Sequence, residues 1–227
     1  GAPLDRIVEM LGIGPLLPRR PGALSGGEKS RVALGRAILA KPRVLLMDEP
    51  LAALDEARKA EILPYLERLR DEIGLPMLYV SHSAAEVARL ATTIVLIEAG
   101  RCTAAGPAAE ILSDPALAPG MGLREAGAIL PARVAAQEDD GLTRLDTAAG
   151  PVWLPRVPAA PGTSLRIRIL ATDVMIATRR PEALSALNVL PGRVTALRAG
   201  EGPGVMVQLS LGGAPILARI TRRSATA

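Results

Sequence analysis

The chain has 227 residues, 49% of them hydrophobic, a net charge of +4 and one cysteine, Cys102; this is room for one large or two modest domains with real cores. No apolar run reaches membrane-span length, the first residues lack a charged-then-apolar secretory pattern, and a single cysteine excludes an internal disulfide framework. The basic residues are scattered from Arg6 to Arg223, phenylalanine is absent, and Trp153, Tyr65 and Tyr79 are the only aromatics, so no nucleic-acid partner is expected.

In chain order, Ser25-Gly26-Gly27 precedes a Pro-free stretch that reads as a helix over 28–40, with Val32, Ile38 and Leu39 among its apolar positions. Residues 44–47 are a short continuous apolar run, the pattern of a strand buried on both faces of a parallel sheet. Asp55 is placed to cap the next helix, whose Ile62, Leu66, Leu69 and Ile73 recur at helical spacing. Pro64 should kink that helix or restart its first turn, and Gly74 should close it. Residues 77–80 read as a second buried strand, 84–90 as a short helix and 94–97 as a third strand, followed by a hairpin turn at Glu98-Ala99-Gly100-Arg101. Such alternation argues for an α/β layer.

Pro115, Pro119, Gly120, Gly122 and Gly127 then punctuate a linker, placed at 121–130. Beyond it, short β-rich pieces fall at 132–136, 142–147, 152–154, 165–170, 174–177, 192–197, 205–211 and 216–220. Alternation is clearest in Leu165-Arg166-Ile167-Arg168-Ile169. The pattern suggests a small barrel or sandwich. Two domains are expected, 1–120 and 131–227.

The chemistry concentrates in the first of these. Ser25-Gly26-Gly27 before a helix offers a hydroxyl, closely approachable amides and the positive end of a helix dipole, all suited to an anion; in isolation it is also a common turn. Asp48 ends a strand expected to be buried, where a carboxylate needs a partner such as magnesium, which binds through few carboxylates plus substrate phosphates. Glu49 beside it can orient, or take a proton from, a water attacking a γ-phosphate. His82, the only histidine, follows the second strand, where a neutral imidazole could bridge a phosphate oxygen and that carboxylate. A phosphate-gripping lysine in G-x-x-x-x-G-K-[ST] is missing: Lys29, Lys41 and Lys59 are the only lysines, and none fits.

In this order the motifs resemble ATP-binding-cassette (ABC) ATPases. Leu24-Ser25-Gly26-Gly27-Glu28 looks like the signature loop, with Glu28 where glutamine is commoner. Val44-Leu45-Leu46-Met47-Asp48-Glu49 looks like the Walker B strand with its glutamate, Leu54-Asp55 like the D-loop and His82 like the switch histidine. The resemblance implies an α/β fold, a partial ABC-type P-loop NTPase domain followed by a small all-β, OB-like (Mop-type) barrel. It implies ATP and Mg2+ as cofactors and a head-to-tail homodimer in which Ser25, Gly26 and Gly27 act on the partner's nucleotide. By the same resemblance Asp48 holds magnesium through water, Glu49 activates the attacking water, His82 holds the γ-phosphate and Asp55 couples the two sites. The family's P-loop, adenine-stacking aromatic and glutamine loop precede the signature and have no counterpart here. The chain is therefore expected to lack the N-terminal half of the domain and to neither bind ATP tightly nor hydrolyse it.

Further stretches resemble one branch, the ATP-binding subunits of molybdate importers: Leu63-Pro64-Tyr65-Leu66, Met77-Leu78-Tyr79-Val80-Ser81-His82-Ser83 and the alternating segment at 165–169. Ser185-Ala186-Leu187-Asn188-Val189-Leu190-Pro191-Gly192 looks like the start of a Mop-type segment, placed from about residue 184, with Leu187 where arginine is usual. A hydroxyl and an amide can donate to a tetrahedral dianion, which makes Ser185 and Asn188 the candidates for molybdate; a simple turn before a strand explains them equally well. The resemblance implies membrane permease subunits as partners, a periplasmic or extracellular molybdate-binding protein as an indirect one, and a peripheral position on the cytoplasmic face of a bacterial inner membrane. Alternatives are the ATPase of a sulfate, polyamine or sugar importer, or a molybdate-binding module without ATPase activity.

Overall fold

A computed structural model describes residues 4–52, 54–118, 126–200 and 202–226. They form two compact units, Gly1–Ala91 and Thr92–Ala227. No helix among the described residues is long and apolar enough to cross a membrane.

The first unit contains α1 (Leu4–Met10), α2 (Gly26–Leu39), β1 (Leu45–Asp48), α3 (Glu56–Arg68), β2 (Met77–Val80) and α4 (Ala84–Leu90). Its core joins Ile7, Met10 and Leu11 to Ile38 of α2, Ile62 and Leu66 of α3, and Leu45 of β1. Gly35 lets α2 come close to the chain after α1, since a Cβ there would lie 3.1 Å from the Leu11 side chain. The apolar repeat expected around 62–73 is realised: Ile62, Leu66 and Leu69 are buried and Ile73 packs against the same core. Pro64 neither breaks nor restarts α3, which runs continuously through it. The widened turn comes later, as a π-helical stretch over Leu69–Ile73, and Gly74 closes it at φ +64°.

β1 and β2 pair in parallel, Leu45 opposite Met77 through Asp48 opposite Val80. The expected burial on both faces is not found. Leu45, Met47, Met77 and Tyr79 face the core, while Val44, Leu46, Leu78 and Val80 are exposed. Burial alternates because the α-helical core of this unit covers only one face of the ribbon. The third predicted strand, β3 (Thr93–Glu98), belongs to the second unit and pairs antiparallel with β4 (Arg101–Pro107) in a sheet of its own. The hairpin turn is as expected: Ala99 at φ +48° and Gly100 at φ +75° give the left-handed pair that a two-residue connection demands.

After α5 (Ala108–Ser113), residues 121–125 of the anticipated linker lie outside the described residues. From Gly127 the chain is already strand, because it pairs with a later strand as far as Leu170. β5 (Gly127–Gln137), β6 (Leu142–Thr147), β7 (Gly150–Pro155) and β8 (Ser164–Leu170) form an antiparallel sheet ordered β7-β6-β5-β8. Ala128, Leu130, Ala132 and Val134 alternate into its core with Leu145, Val152 and Ile167. β9 (Arg193–Ala199), β10 (Gly204–Leu211) and β11 (Ala214–Thr221) make a second sheet ordered β11-β10-β9, before a last short helix, α6 (Arg222–Ala225). Ile216 of β11 joins the core of the first sheet, and the Arg219 amide donates to the Ala171 carbonyl at 2.7 Å, so the two sheets share one small β domain. The strand expected at 174–177 is absent; that stretch is irregular, with Met175 71% exposed.

Candidate functional site

The sequence folds its phosphate-handling residues into local clusters. In the first, Ser25 is the N-cap of α2 and forms a reciprocal capping box with Glu28: the Ser25 amide donates to Glu28 Oε2 at 2.7 Å, and the Glu28 amide donates to Ser25 Oγ at 3.2 Å. The Ser25 amide, helped by Arg19 at 3.4 Å, holds the Glu28 carboxyl below its ordinary value. Two kinds of donor remain: the amides of Gly26 and Gly27, which as first-turn groups have no helical acceptor, and the hydroxyl hydrogen of Ser25. Gly27 is buried against α3, with Ile62 3.8 Å from where a Cβ would stand, and at Gly26 the nearest atom would be Leu54 Cδ2 at 3.4 Å. Leu54 thus leads directly to Asp55, which caps α3 by accepting from the Arg58 amide at 2.9 Å.

The second cluster lies at the carboxyl ends of β1 and β2. The Glu49 amide donates to the Val80 carbonyl at 3.0 Å, and Glu49 turns into the left-handed region at φ +44°. A non-glycine residue held there stores strain, of the kind that gathers at functional sites. Its Oε1 accepts the His82 amide at 3.0 Å and lies 2.8 Å from His82 Nδ1. With Nδ1 turned to Glu49, Nε2 is the ring nitrogen left for a second partner.

Asp48, predicted to need a partner because it would be buried, is instead exposed and without a protein partner among the described residues. Its carboxylate is free to meet a hydrated cation, which suits an ion that keeps most of its waters. No group of three or more metal-ligating side chains gathers among the described residues, so any magnesium would complete its shell with waters and substrate oxygens.

A third cluster was not foreseen. Glu86 of α4 is 3% exposed. Its Oε2 accepts from the Tyr79 hydroxyl at 2.7 Å and the Ser81 hydroxyl at 2.9 Å, and its Oε1 meets Lys59 Nζ of α3 at 3.1 Å. Burial alone would raise the Glu86 carboxyl, but Tyr79, Lys59 and Ser81 outweigh it and hold the group below the ordinary carboxylate value. Burial and the same carboxylate push the Tyr79 hydroxyl up. Tyr79 on β2, Ser81 in the turn after it and Glu86 in the first turn of α4 are legible only with strand and helix boundaries already in hand.

In the second unit, Asn188 pairs with the backbone of Trp153. Its Oδ1 accepts the Trp153 amide and its Nδ2 donates to the Trp153 carbonyl, both at 2.8 Å. One Nδ2 hydrogen is left over. Ser185 is exposed on the same segment.

Residues 2–52 match the ABC transporter family and residues 184–227 the TOBE domain family. Over 98% of its length the chain is 54% identical to the molybdenum import ATP-binding protein ModC of Mesorhizobium japonicum, covering 60% of that protein. It is 55% identical over 99% of its length to the protein of that name from Rhizobium johnstonii, covering 63%. The chain thus spans about three-fifths of the length of these relatives. Among solved structures it is similar to the ADP conformation of MJ1267, an ATP-binding cassette of an ABC transporter, with a TM-score of 0.45 and 28% identity over 51% of this chain and 47% of that one.

Proposed function

We infer from the chain's membership of the ABC transporter family, with a TOBE segment at its end, that it belongs to the ATP-hydrolysing subunit energising molybdate import. The observation that carries this is identity of 54% running through both units rather than through the ATP-handling motifs alone. The overall change is ATP and water to ADP and phosphate, coupled to movement of molybdate inward. Residues 1–120 would be the later part of the nucleotide-binding domain, 121–130 a linker, and 131–227 the β-rich accessory domain. The partners would be a second copy of the subunit, integral-membrane permease subunits and, indirectly, a molybdate-binding protein outside. The location would be the cytoplasmic face of the inner membrane.

In this reading Ser25, Gly26 and Gly27 donate their free hydroxyl and amides to the γ-phosphate bound by the partner subunit, at the positive end of α2. Glu28 keeps that turn in shape. Asp48 would hold magnesium through water; the ion supplies neutralisation of phosphate charge. Glu49 takes the proton of the attacking water, while His82, turned to Glu49 through Nδ1, holds the γ-phosphate through its other ring nitrogen. Asp55 caps α3 beside the signature turn and couples the two sites. Since no lysine stands in a phosphate-gripping loop, the purified chain by itself should show no magnesium-dependent ATPase. Hydrolysis that disappears in Glu49→Gln would overturn that expectation.

For the second unit, Ser185 and the spare Asn188 hydrogen are the donors offered to molybdate. Titration calorimetry on the full chain should give heat with molybdate and tungstate, weakened at least tenfold (about 1.4 kcal/mol) in Ser185→Ala. Equal binding of sulfate would move the assignment to another importer, and no heat with any oxyanion would remove Ser185 and Asn188 from the site.

A further inference from the structure

The His82 side chain is 80% exposed, and its one polar contact among the described residues is Glu49. An imidazole so little packed takes its direction from the backbone turn that carries it. That turn is fixed from behind. Ser81 Oγ accepts the Ser83 amide at 3.1 Å, which bends the chain around His82, and passes its own hydrogen to Glu86 Oε2. Ser83 Oγ in turn accepts the Glu86 amide at 3.3 Å as the N-cap of α4. Tyr79 of β2, two residues before Ser81, donates to the same carboxylate oxygen, so a single buried group grips the chain at two points leading into the histidine. The other oxygen of Glu86 is held by Lys59, whose side chain is only 15% exposed and stands one turn into α3 from its cap Asp55.

We propose that Glu86 is a positioning residue: through Ser81 and Tyr79 it sets the His82 turn against Glu49, and through Lys59 it ties that setting to α3, the helix capped by Asp55. It touches no reacting atom. A displacement of α3 would then reach His82 through one ion pair and one hydroxyl, without passing through the β1–β2 ladder. The functional meaning rests on Glu49 and His82 being the hydrolytic pair, but the mechanical link does not.

The lone histidine makes this testable without turnover. Nitrogen-15 and carbon-13 spectra of the full chain give one set of ring signals, which report the hydrogen at Nδ1. Glu49→Ala supplies the reference for a released ring. Glu86→Gln, which keeps an acceptor for Tyr79 and Ser81 but loses the charge facing Lys59, should move the His82 signals partway to that reference; Ser81→Ala should move them at least half way. Lys59→Gln should produce the smaller, Glu86→Gln-like shift. Backbone amide signals of β1 and β2 show in each case that the unit is folded. Ring signals unchanged in both Ser81→Ala and Glu86→Gln would overturn the positioning role, and no shift in Lys59→Gln would remove the link to α3. If Glu86→Gln disrupts folding, Tyr79→Phe takes its place with the same two outcomes. The ring signals report the link without turnover, so shifts as expected keep it even if this chain does hydrolyse ATP and that hydrolysis persists in Glu49→Gln, a result that would discard the hydrolytic reading alone.

Discussion

Gly212→Ala is expected to cost the β domain about 2–4 kcal/mol, against about 1 kcal/mol for Gly213→Ala next to it. Gly212-Gly213 is the two-residue connection between β10 and β11, with φ values of +58° and +91°. Both substitutions pay for a left-handed backbone. Only Gly212 also faces the carbonyl of Ala148 in the β6–β7 turn, where a Cβ would collide with backbone, which cannot swing aside; Gly213 has open space around it. Urea unfolding followed by fluorescence of Trp153, the only tryptophan and a β7 residue, measures the difference directly. Equal midpoints for the two variants would mean that the turns do not press on each other.

Glu86→Leu should be the most damaging single change in the first unit, about 3–5 kcal/mol, because it leaves the Tyr79 and Ser81 hydroxyls without their acceptor in a buried place and Lys59 with only the exposed Glu56. The double change with Lys59→Met should recover only the part of that loss owed to the ammonium, since the two hydroxyls still lack their acceptor. The sign of the pH dependence follows from the same carboxylate. Its folded-state value lies below the unfolded one, so its contribution is complete above the unfolded value of 4.5 and disappears as pH falls through the folded one. The stability gap between the natural protein and Glu86→Gln should therefore stay constant near neutrality and shrink in acid. A gap that instead widened below about pH 4 would mean the carboxyl is protonated in the folded protein.

Motif order made the clusters legible in one dimension: Ser25 caps its helix, Asp55 caps the next, and Glu49 does meet His82. What sequence could not supply was environment. The run at 44–47 is apolar throughout, and an apolar run cannot say how many of its faces will be covered; β1 shows one face to the core and leaves Leu46 69% exposed. The same uncertainty undid the desolvation argument for Asp48, which rested on that burial. Pro64 signals a broken helix by its chemistry alone, yet the packing of Ile62 and Leu66 on either side carries α3 through it. Met175 and Ile176 have strand composition, but strands exist only where a neighbour accepts their ladder, and these residues have none. Glu86 was overlooked because its partners are contributed by three elements, and a charged residue on a short helix ordinarily faces water.

The left-handed backbone of Glu49 has a consequence for how this protein can drift. Glycine is the residue best suited to φ +44°, so the change that relaxes this turn is also the one that deletes its carboxylate. Any screen rewarding heat resistance alone would thus be pulled toward glycine at position 49, and the sturdiest descendants would have lost the acceptor that meets His82.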